Sequence, residues 1–302
     1  MLPRSSPAAN LARWGAPDTW AFAAHTRPSA RLKALSGPDG WELVLTGREP
    51  EMTSVLVTGG TGRLGRAVVD RLQLAGDDVR ILSRRPHSGA GWLVGDLRSG
   101  TGVVDAVAGA EVIVHCATTN GRGDIEAAHS IVEAAGAATP HLVFISIVGI
   151  DRIPLPYYRA KLAAERIIES SGLPFTILRA TQFHQLIGWL FQLQRRLPVL
   201  MLPAGFRMQP IDAGEVADRL VELAREPAAG RVPDIAGPQV LELAELARSW
   251  LAATGRRRPL VQIPLPGKTA AAYREGAHLA PDLAAGTVTF DQFLVRGAAG
   301  DR

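Results

Sequence analysis

Beyond residue 52 the apolar positions fall into short unbroken runs that alternate with stretches of helical period. A β-rich run opens at Ser54, and others cover Val79–Ser83, Gly91–Asp96, Glu111–Cys116, Leu142–Ser146 and Phe175–Arg179. Between them, helical patterns occupy Arg66–Leu72, Val103–Val107, Ile125–Ala137 and Tyr157–Ser171, the last stopped by Gly172 and Pro174. A strand that is apolar at nearly every position, as Glu111–Cys116 is, must be covered on both faces. Repeated βα alternation of this kind predicts an α/β fold, a doubly wound parallel sheet with right-handed crossovers. Its ligand is expected at the carboxyl ends of the strands, near the point where strand order reverses.

The C-terminal third changes character. Phe183–Leu197 predicts a helix with Phe183, Leu186, Ile187, Leu190, Leu193 and Leu197 on one face and Phe191 at its edge. Asp212 and Glu215 resemble a capping box that starts a helix over Val216–Arg225. Asp234–Gly237 and Leu260–Ile263 read as short strands, Leu241–Thr254 as an amphipathic helix and Pro264–Gly267 as a turn. Residues 53–182 are therefore the predicted sheet core. Residues 183–302 are a predicted C-terminal substrate lobe with strands returning to that core.

Residues 1–52 hold Trp14, Trp20 and Trp41 but no sustained period of 2 or 3.6, with prolines and serines scattered through them. They predict a poorly ordered or loosely docked extension. One reading makes Met52 the true first residue. Another is a transit peptide, since residues 1–33 carry five basic residues and one acid, although no clear amphipathic helix accompanies them.

Composition narrows the class. Apolar residues are 47% and charged residues 21% of 302, which excludes a disordered chain. Net charge is +4, and with only Lys33, Lys161 and Lys268 as lysines, 33 − 3 = 30 of the basic residues are arginine. The short cluster Arg256-Arg257-Arg258 reads as a solvated loop, so no nucleic-acid partner is expected. Cys116 is the only cysteine, which forbids an intrachain disulfide and fits a reducing, cytoplasmic setting. The longest apolar run, His141–Ile150, is too short for a membrane span, and no signal-peptide h-region is visible. No His/Cys/Asp cluster has metal-ligand spacing, so no metal is expected. The expected partner is a small-molecule substrate, and the expected assembly a monomer or homodimer.

Two motifs carry chemistry. In Gly59-Gly60-Thr61-Gly62-Arg63-Leu64-Gly65 a strand breaks into glycines and a helix follows at once. Gly59 permits the tight turn, Gly62 lets backbone approach a diphosphate, and Gly65 lets helix and strand pack closely, with the helix N-terminus facing the anion. The spacing alone is expected by chance roughly 0.3 times in such a glycine-rich chain, so an ordinary βα turn is the competing reading. The strand before it and the helix after it favour the dinucleotide. The second strand ends at Ser83-Arg84-Arg85, where an NAD site usually offers a carboxylate. A hydroxyl and guanidiniums suit a 2′-phosphate, so the cofactor read here is NADP, with NAD possible. Arg85 also reads as a solvated loop residue. The second motif is Tyr157-x-x-x-Lys161, expected by chance only about 0.03 times. At i and i+4 the two share a helix face, and the ammonium is expected to lower the phenol toward catalytic range. Against this, Tyr157 reads as a helix start after Pro156 with Lys161 solvated.

With these motifs in place, residues 53–296 resemble the short-chain dehydrogenase/reductase (SDR) superfamily, and within it the atypical, NmrA-like NAD(P)-binding proteins. The resemblance implies a Rossmann-like fold. It implies that Asp96, with Leu97 beside it, contacts adenine and that Ala117 and Thr118 lie along the cofactor. It also implies that Thr181, Gln182 and Phe183 flank the nicotinamide. Thr61, Arg63 and Leu64 complete the elbow, and Lys161 also holds the ribose. Gln182, Phe183 and Leu186 are the expected substrate contacts, under a helix roofing an apolar pocket that His184 borders.

Two positions depart from the family pattern. The Ser or Thr before Val-Gly after the fifth strand is Ile147, with Ser146 one residue early and expected to face away. The Pro after Leu-Arg on the sixth strand is Ala180. Tyr158 is an alternative to Tyr157. Two functions are thus expected in competition. One is an NADP-dependent oxidoreductase acting on a small apolar carbonyl, enone or quinone. The other is a non-catalytic NADP-binding sensor or regulator.

Overall fold

The computed structural model describes residues 31–37, 40–46, 52–119 and 121–300. The chain divides into two units, Met1–Glu51 and Met52–Arg302. In the first, Arg31–Gly37 and Gly40–Thr46 form an antiparallel pair, in register from Arg31↔Thr46 to Gly37↔Gly40. The pair falls within the stretch read from the sequence as a poorly ordered or loosely docked extension. Leu32 and Ala34, then Trp41, Leu43 and Leu45, alternate in the sequence over runs too short to register as a sustained period.

In the second unit the strands are β1 (Ser54–Thr58), β2 (Asp78–Ser83), β3 (Trp92–Val94), β4 (Val112–His115), β5 (His141–Ile147), β6 (Phe175–Ala180) and β7 (Gly230–Arg231). All pair in parallel, in the order 3-2-1-4-5-6-7. The order reverses at β1, which lies between β2 and β4, and this is the predicted switch point. Along the strands, side chains alternate between two apolar faces. Val57, Val114, Ile145 and Leu178 meet α1 (Arg63–Leu74) and α6 (Ala213–Arg225). Leu56, Ile113, Phe144 and Ile177 meet α2 (Val103–Val107), α3 (Gly123–Ala135) and α4 (Pro156–Glu169). Each side chain buried this way contributes about 1.5–3 kcal/mol, which is why β4 has no polar face.

Outside the sheet, α5 (His184–Leu193), α7 (Leu243–Ala253) and α9 (Phe290–Gly300) share a third apolar cluster around Phe191, Trp250 and Phe290. A short α8 (Lys268–Arg274) and strand pairs Leu200–Pro203 with Leu260–Ile263 and Arg207–Met208 with Leu241–Glu242 complete the unit.

Three sequence expectations are corrected here. The helix read over Phe183–Leu197 ends at Leu193, because the Gln194 amide bonds both the N–H and the C=O of Met201. Its buried side is His184, Ile187 and Phe191, whereas Leu186, Leu190, Leu193 and Leu197 are exposed. Phe191 packs on Trp250, and His184 on Phe290 and Phe293, so α7 and α9 claim the Phe191 edge of the predicted face and leave the rest of it outward. Asp212 does cap α6 through the Gly214 N–H. Glu215, however, does not close a box: it accepts from the N–H groups of Thr287 and Val288 and from the Thr287 hydroxyl.

Candidate functional site

A cleft of about 1080 Å³ opens at the carboxyl ends of β1 to β4. The elbow after β1 forms its floor. Gly59 sits at φ +72°, and a Cβ there would lie 2.6 Å from the Ala117 nitrogen. A Cβ on Gly65 would lie 2.2 Å from the Gly59 carbonyl oxygen, so strand and helix meet at a distance only glycine permits. The Gly62 N–H closes the turn on the Gly59 carbonyl at 2.8 Å. Helix α1 begins with no side-chain cap, which leaves its first-turn N–H groups for an anion. This is a cradle shaped for a diphosphate, and the residues present fit a dinucleotide.

Gly60 was passed over in the sequence reading. Its missing Cβ would fall 2.5 Å from Ile81 Cγ2, so the doubled glycine seats the elbow against β2.

Of the predicted cofactor residues, Gly59, Thr61, Gly62, Ser83, Arg84, Asp96, Leu97, Ala117 and Thr118 line this cleft. Arg63, Leu64, Gly65 and Lys161 are not among its lining residues; Leu64 and Gly65 are buried in the α1 interface. Arg85, His87 and Arg98 do line it. The Ser83 hydroxyl accepts the Arg85 N–H and meets His87 Nε2 at 3.1 Å, and His87 stacks on Trp92 at 4.1 Å. Ser83 thus shapes the loop that carries the two arginines. Asp96 Oδ1 accepts the Arg98 N–H at 2.9 Å.

At the other end, Tyr157 and Lys161 occupy one face of α4. Tyr157 Oη lies 3.3 Å from Thr118 Oγ1. The Thr118 hydroxyl donates to Asp124 Oδ2 at 2.8 Å, so its single proton is committed there and Tyr157 is the donor in the first bond. Asp124 also accepts from the Thr119 N–H and hydroxyl, and its Oδ2 lies 3.9 Å from Lys161 Nζ. A chain Tyr157–Thr118–Asp124–Lys161 results. Lys161 is 3% exposed, over the Phe144 ring. Burial pulls its ammonium below the ordinary lysine range, and Asp124 offsets part of that.

The expected lowering of the Tyr157 phenol is corrected. Burial pushes it up, the Thr118 bond pulls it back in part, and the Asp124 carboxylate raises it further. The sequence reading missed Asp124; its signal was an acid in the first turn of the helix that follows β4. Tyr158 does not compete for the site: it is buried, with its hydroxyl 3.2 Å from that of Tyr273 on α8.

The predicted substrate contacts are not brought to the cleft. Gln182 is buried and donates to the His278 carbonyl at 3.2 Å. Its neighbour Thr181 accepts the Gly237 N–H, Phe183 packs on the sheet core and Leu186 faces outward. His184 is a wall residue bonded to the Val288 carbonyl. Strand β5 continues through Ile147. The Ser146 hydroxyl is buried without a hydrogen-bond partner, outside the cleft. Ile147 packs instead against the apolar cluster of Ile150, Ile153 and Tyr158, against which Leu155 and Tyr157 also pack. Cys116 is partly exposed on the cleft floor, yet the low-dielectric surroundings of its sulfur push the thiol up to about 12.

Comparison with known proteins agrees with this geometry. A family model described as NAD(P)H-binding matches residues 59–227. Ceramide reductase of Caulobacter vibrioides is 30% identical over 237 residues, 70% of this chain and 74% of that one. An uncharacterized protein of Mycobacterium bovis is 29% identical over 188 residues, 59% of this chain; the chain spans only 19% of the length of that relative. Among solved structures, the Escherichia coli NADPH-dependent quinone oxidoreductase complexed with NADPH superposes with a TM-score of 0.70 at 17% identity. That match covers 80% of this chain and 99% of the other.

Proposed function

The chain belongs to the NAD(P)H-binding family, and from that premise we propose that it is an NADP-dependent oxidoreductase of the atypical SDR type. It moves a hydride to or from a small apolar carbonyl, enone or quinone. The observation that carries this reading is one cleft that starts at the Gly59–Gly62 elbow, holds Arg84 and Arg85, and passes Ala117 and Thr118 on the way to the Tyr157 hydroxyl.

Bound NADP supplies the hydride donor or acceptor. The chain's own residues do the rest. Elbow amides and the α1 N-terminus take the diphosphate, Arg84 and Arg85 pair with the 2′-phosphate, and Asp96 and Leu97 border the adenine. Tyr157 exchanges a proton with the substrate oxygen. In the present arrangement that proton points at Thr118, so the hydroxyl must turn from Thr118 to substrate. Lys161 balances the Asp124 carboxylate, and Asp124 in turn fixes Thr118 against Tyr157. Ile147, Leu155 and Tyr157 pack against one apolar cluster, and apolar surroundings at this end of the site suit an apolar substrate.

The second reading, a non-catalytic NADP-binding sensor, is favoured by Ile147, which removes a hydrogen-bond donor worth about 3 kcal/mol in a transition state. Turnover of NADPH with a carbonyl, enone and quinone panel separates the two. The enzyme reading expects turnover that falls at least about a hundredfold in Tyr157→Phe. Saturable NADPH binding with no turnover of any substrate leaves the sensor.

A further inference from the structure

Helix α5 is apolar on two opposite faces. At about 100° per residue, His184, Ile187 and Phe191 point into the core, while Leu186, Trp189, Leu190 and Leu193 share an outward arc. Trp189 is 55% and Leu193 57% exposed. A contiguous apolar arc left exposed on a surface helix marks an interaction face. The apolar strip continues past the helix end, because Gln194 is bonded to the Met201 backbone and Met201 and its register partner Val261 are both exposed.

A basic rim adjoins the strip. Arg258 donates to the carbonyls of Gln194 and Leu197, and Arg256 to that of Arg195. The loop after α7 is therefore fastened to the C-terminal end of α5. Arg248, Arg256, Arg257 and Arg258 line a shallow depression of about 570 Å³ with Leu251 and Pro259. Arg195 and Arg196 stand beside it, both exposed. Among the described residues, no carboxylate lies within ion-pairing distance of any of these six arginines. Arg258 Nε and Nη2 are buried without a hydrogen-bond partner, and Arg256 and Arg258 lie over the Trp250 ring. The basic run 256–258, which the sequence suggests is a mere solvated loop, is thus part of a larger uncompensated patch.

We propose that this face docks the protein on an anionic lipid bilayer. Trp189, Leu190 and Leu193 enter the headgroup–acyl boundary, and the arginine depression receives lipid phosphates. The occupant follows from the two chemistries side by side. An exposed tryptophan–leucine face with arginine at its edge matches the interface of an anionic membrane, whereas a soluble anion needs no apolar strip and an apolar protein surface needs no six arginines. The inference is independent of the cofactor reading.

The test is co-sedimentation of the full chain with vesicles of phosphatidylcholine alone and of phosphatidylcholine mixed with phosphatidylserine. Binding is expected only to the mixed vesicles, and it weakens as salt rises. Trp189→Ser/Leu193→Ser abolishes it, and Arg195→Glu/Arg257→Glu weakens it at least about fivefold per arginine. A thermal melt matching the parent shows that each variant is folded. The proposal is overturned if the full chain stays in the supernatant with mixed vesicles at low salt. It is overturned equally if the arginine changes abolish binding and the Trp189/Leu193 change does not, which describes a polyanion site. Conversion of a dimer to a monomer by Trp189→Ser/Leu193→Ser, with vesicle binding absent, assigns the face to a second copy and also overturns it.

Discussion

The Tyr157 hydroxyl meets Thr118, and the Thr118 hydroxyl is in turn bonded to Asp124. This order of bonds makes Asp124 the residue on which the arrangement of the site depends. Asp124→Asn removes the partner of a buried ammonium. The expected cost is about 2–4 kcal/mol, read as a drop in the denaturant midpoint with unchanged m; an unchanged midpoint would show that Lys161 needs no partner. Ile147→Ser places a hydroxyl where the family pattern has Ser or Thr. If the protein is an enzyme, kcat/KM should rise by up to about a hundredfold, and a fall would mean that the apolar surroundings matter more than the missing donor. Cys116 is expected to be inert: with its thiol at about 12, it carries about a thousandfold less thiolate than a free thiol at neutral pH. Rapid alkylation by iodoacetamide would contradict that. At this scale the sequence exposed Tyr157 and Lys161 through their spacing. For Asp124 it offered only an acid in the first turn of α3, and it could not reveal the commitment of Gln182 to His278, which joins distant segments.

Helix α4 is fixed to the sheet by more than apolar contact. Glu165 receives a bidentate bond from Arg179 on β6 at 2.9 and 2.6 Å, with Asp151 3.3 Å from the same guanidinium. Glu165 is 1% exposed, so Glu165→Ala leaves the buried Arg179 with Asp151 alone and should cost up to about 3 kcal/mol; a melt within a degree or so of the parent would show otherwise. The elements themselves were legible where one period dominated. The central strands β1, β4, β5 and β6 were readable because their buried positions run almost unbroken, and α4 because Pro156 starts it and Gly172 and Pro174 stop it. Helix α5 was legible as a helix but not in its orientation. Its two apolar faces are equivalent in sequence, and only α7 and α9 choose between them. Strand β7 has two residues, too few to carry a period.

The second unit as a whole buries histidines without charging them. Burial, with the Lys161 charge, lowers His115 to about 3, and burial lowers His278 to about 4. Both folded values lie below the unfolded value of about 6.5, so the unfolded chain takes up more protons between them. Stability is therefore complete above about pH 6.5 and falls as pH drops toward about 4, by up to about 1.4 kcal/mol per pH unit for each histidine. Chemical denaturation at a series of pH values should show this slope, and His115→Gln should flatten it. A midpoint that holds steady from neutral pH to about pH 4.5 would be the contrary result.

The sheet order, the switch point and the cleft follow from strand periodicity plus one glycine elbow, and the central claim is that this cleft holds NADP through its arginines. Titration of the full chain with NADPH and NADH, repeated on Arg84→Ala, tests it most directly. The account predicts saturable binding of both, tighter for NADPH, with Arg84→Ala weakening NADPH by about tenfold or more and leaving NADH unchanged. No saturable binding of either nucleotide by folded protein, or equal loss of both in the variant, would contradict it.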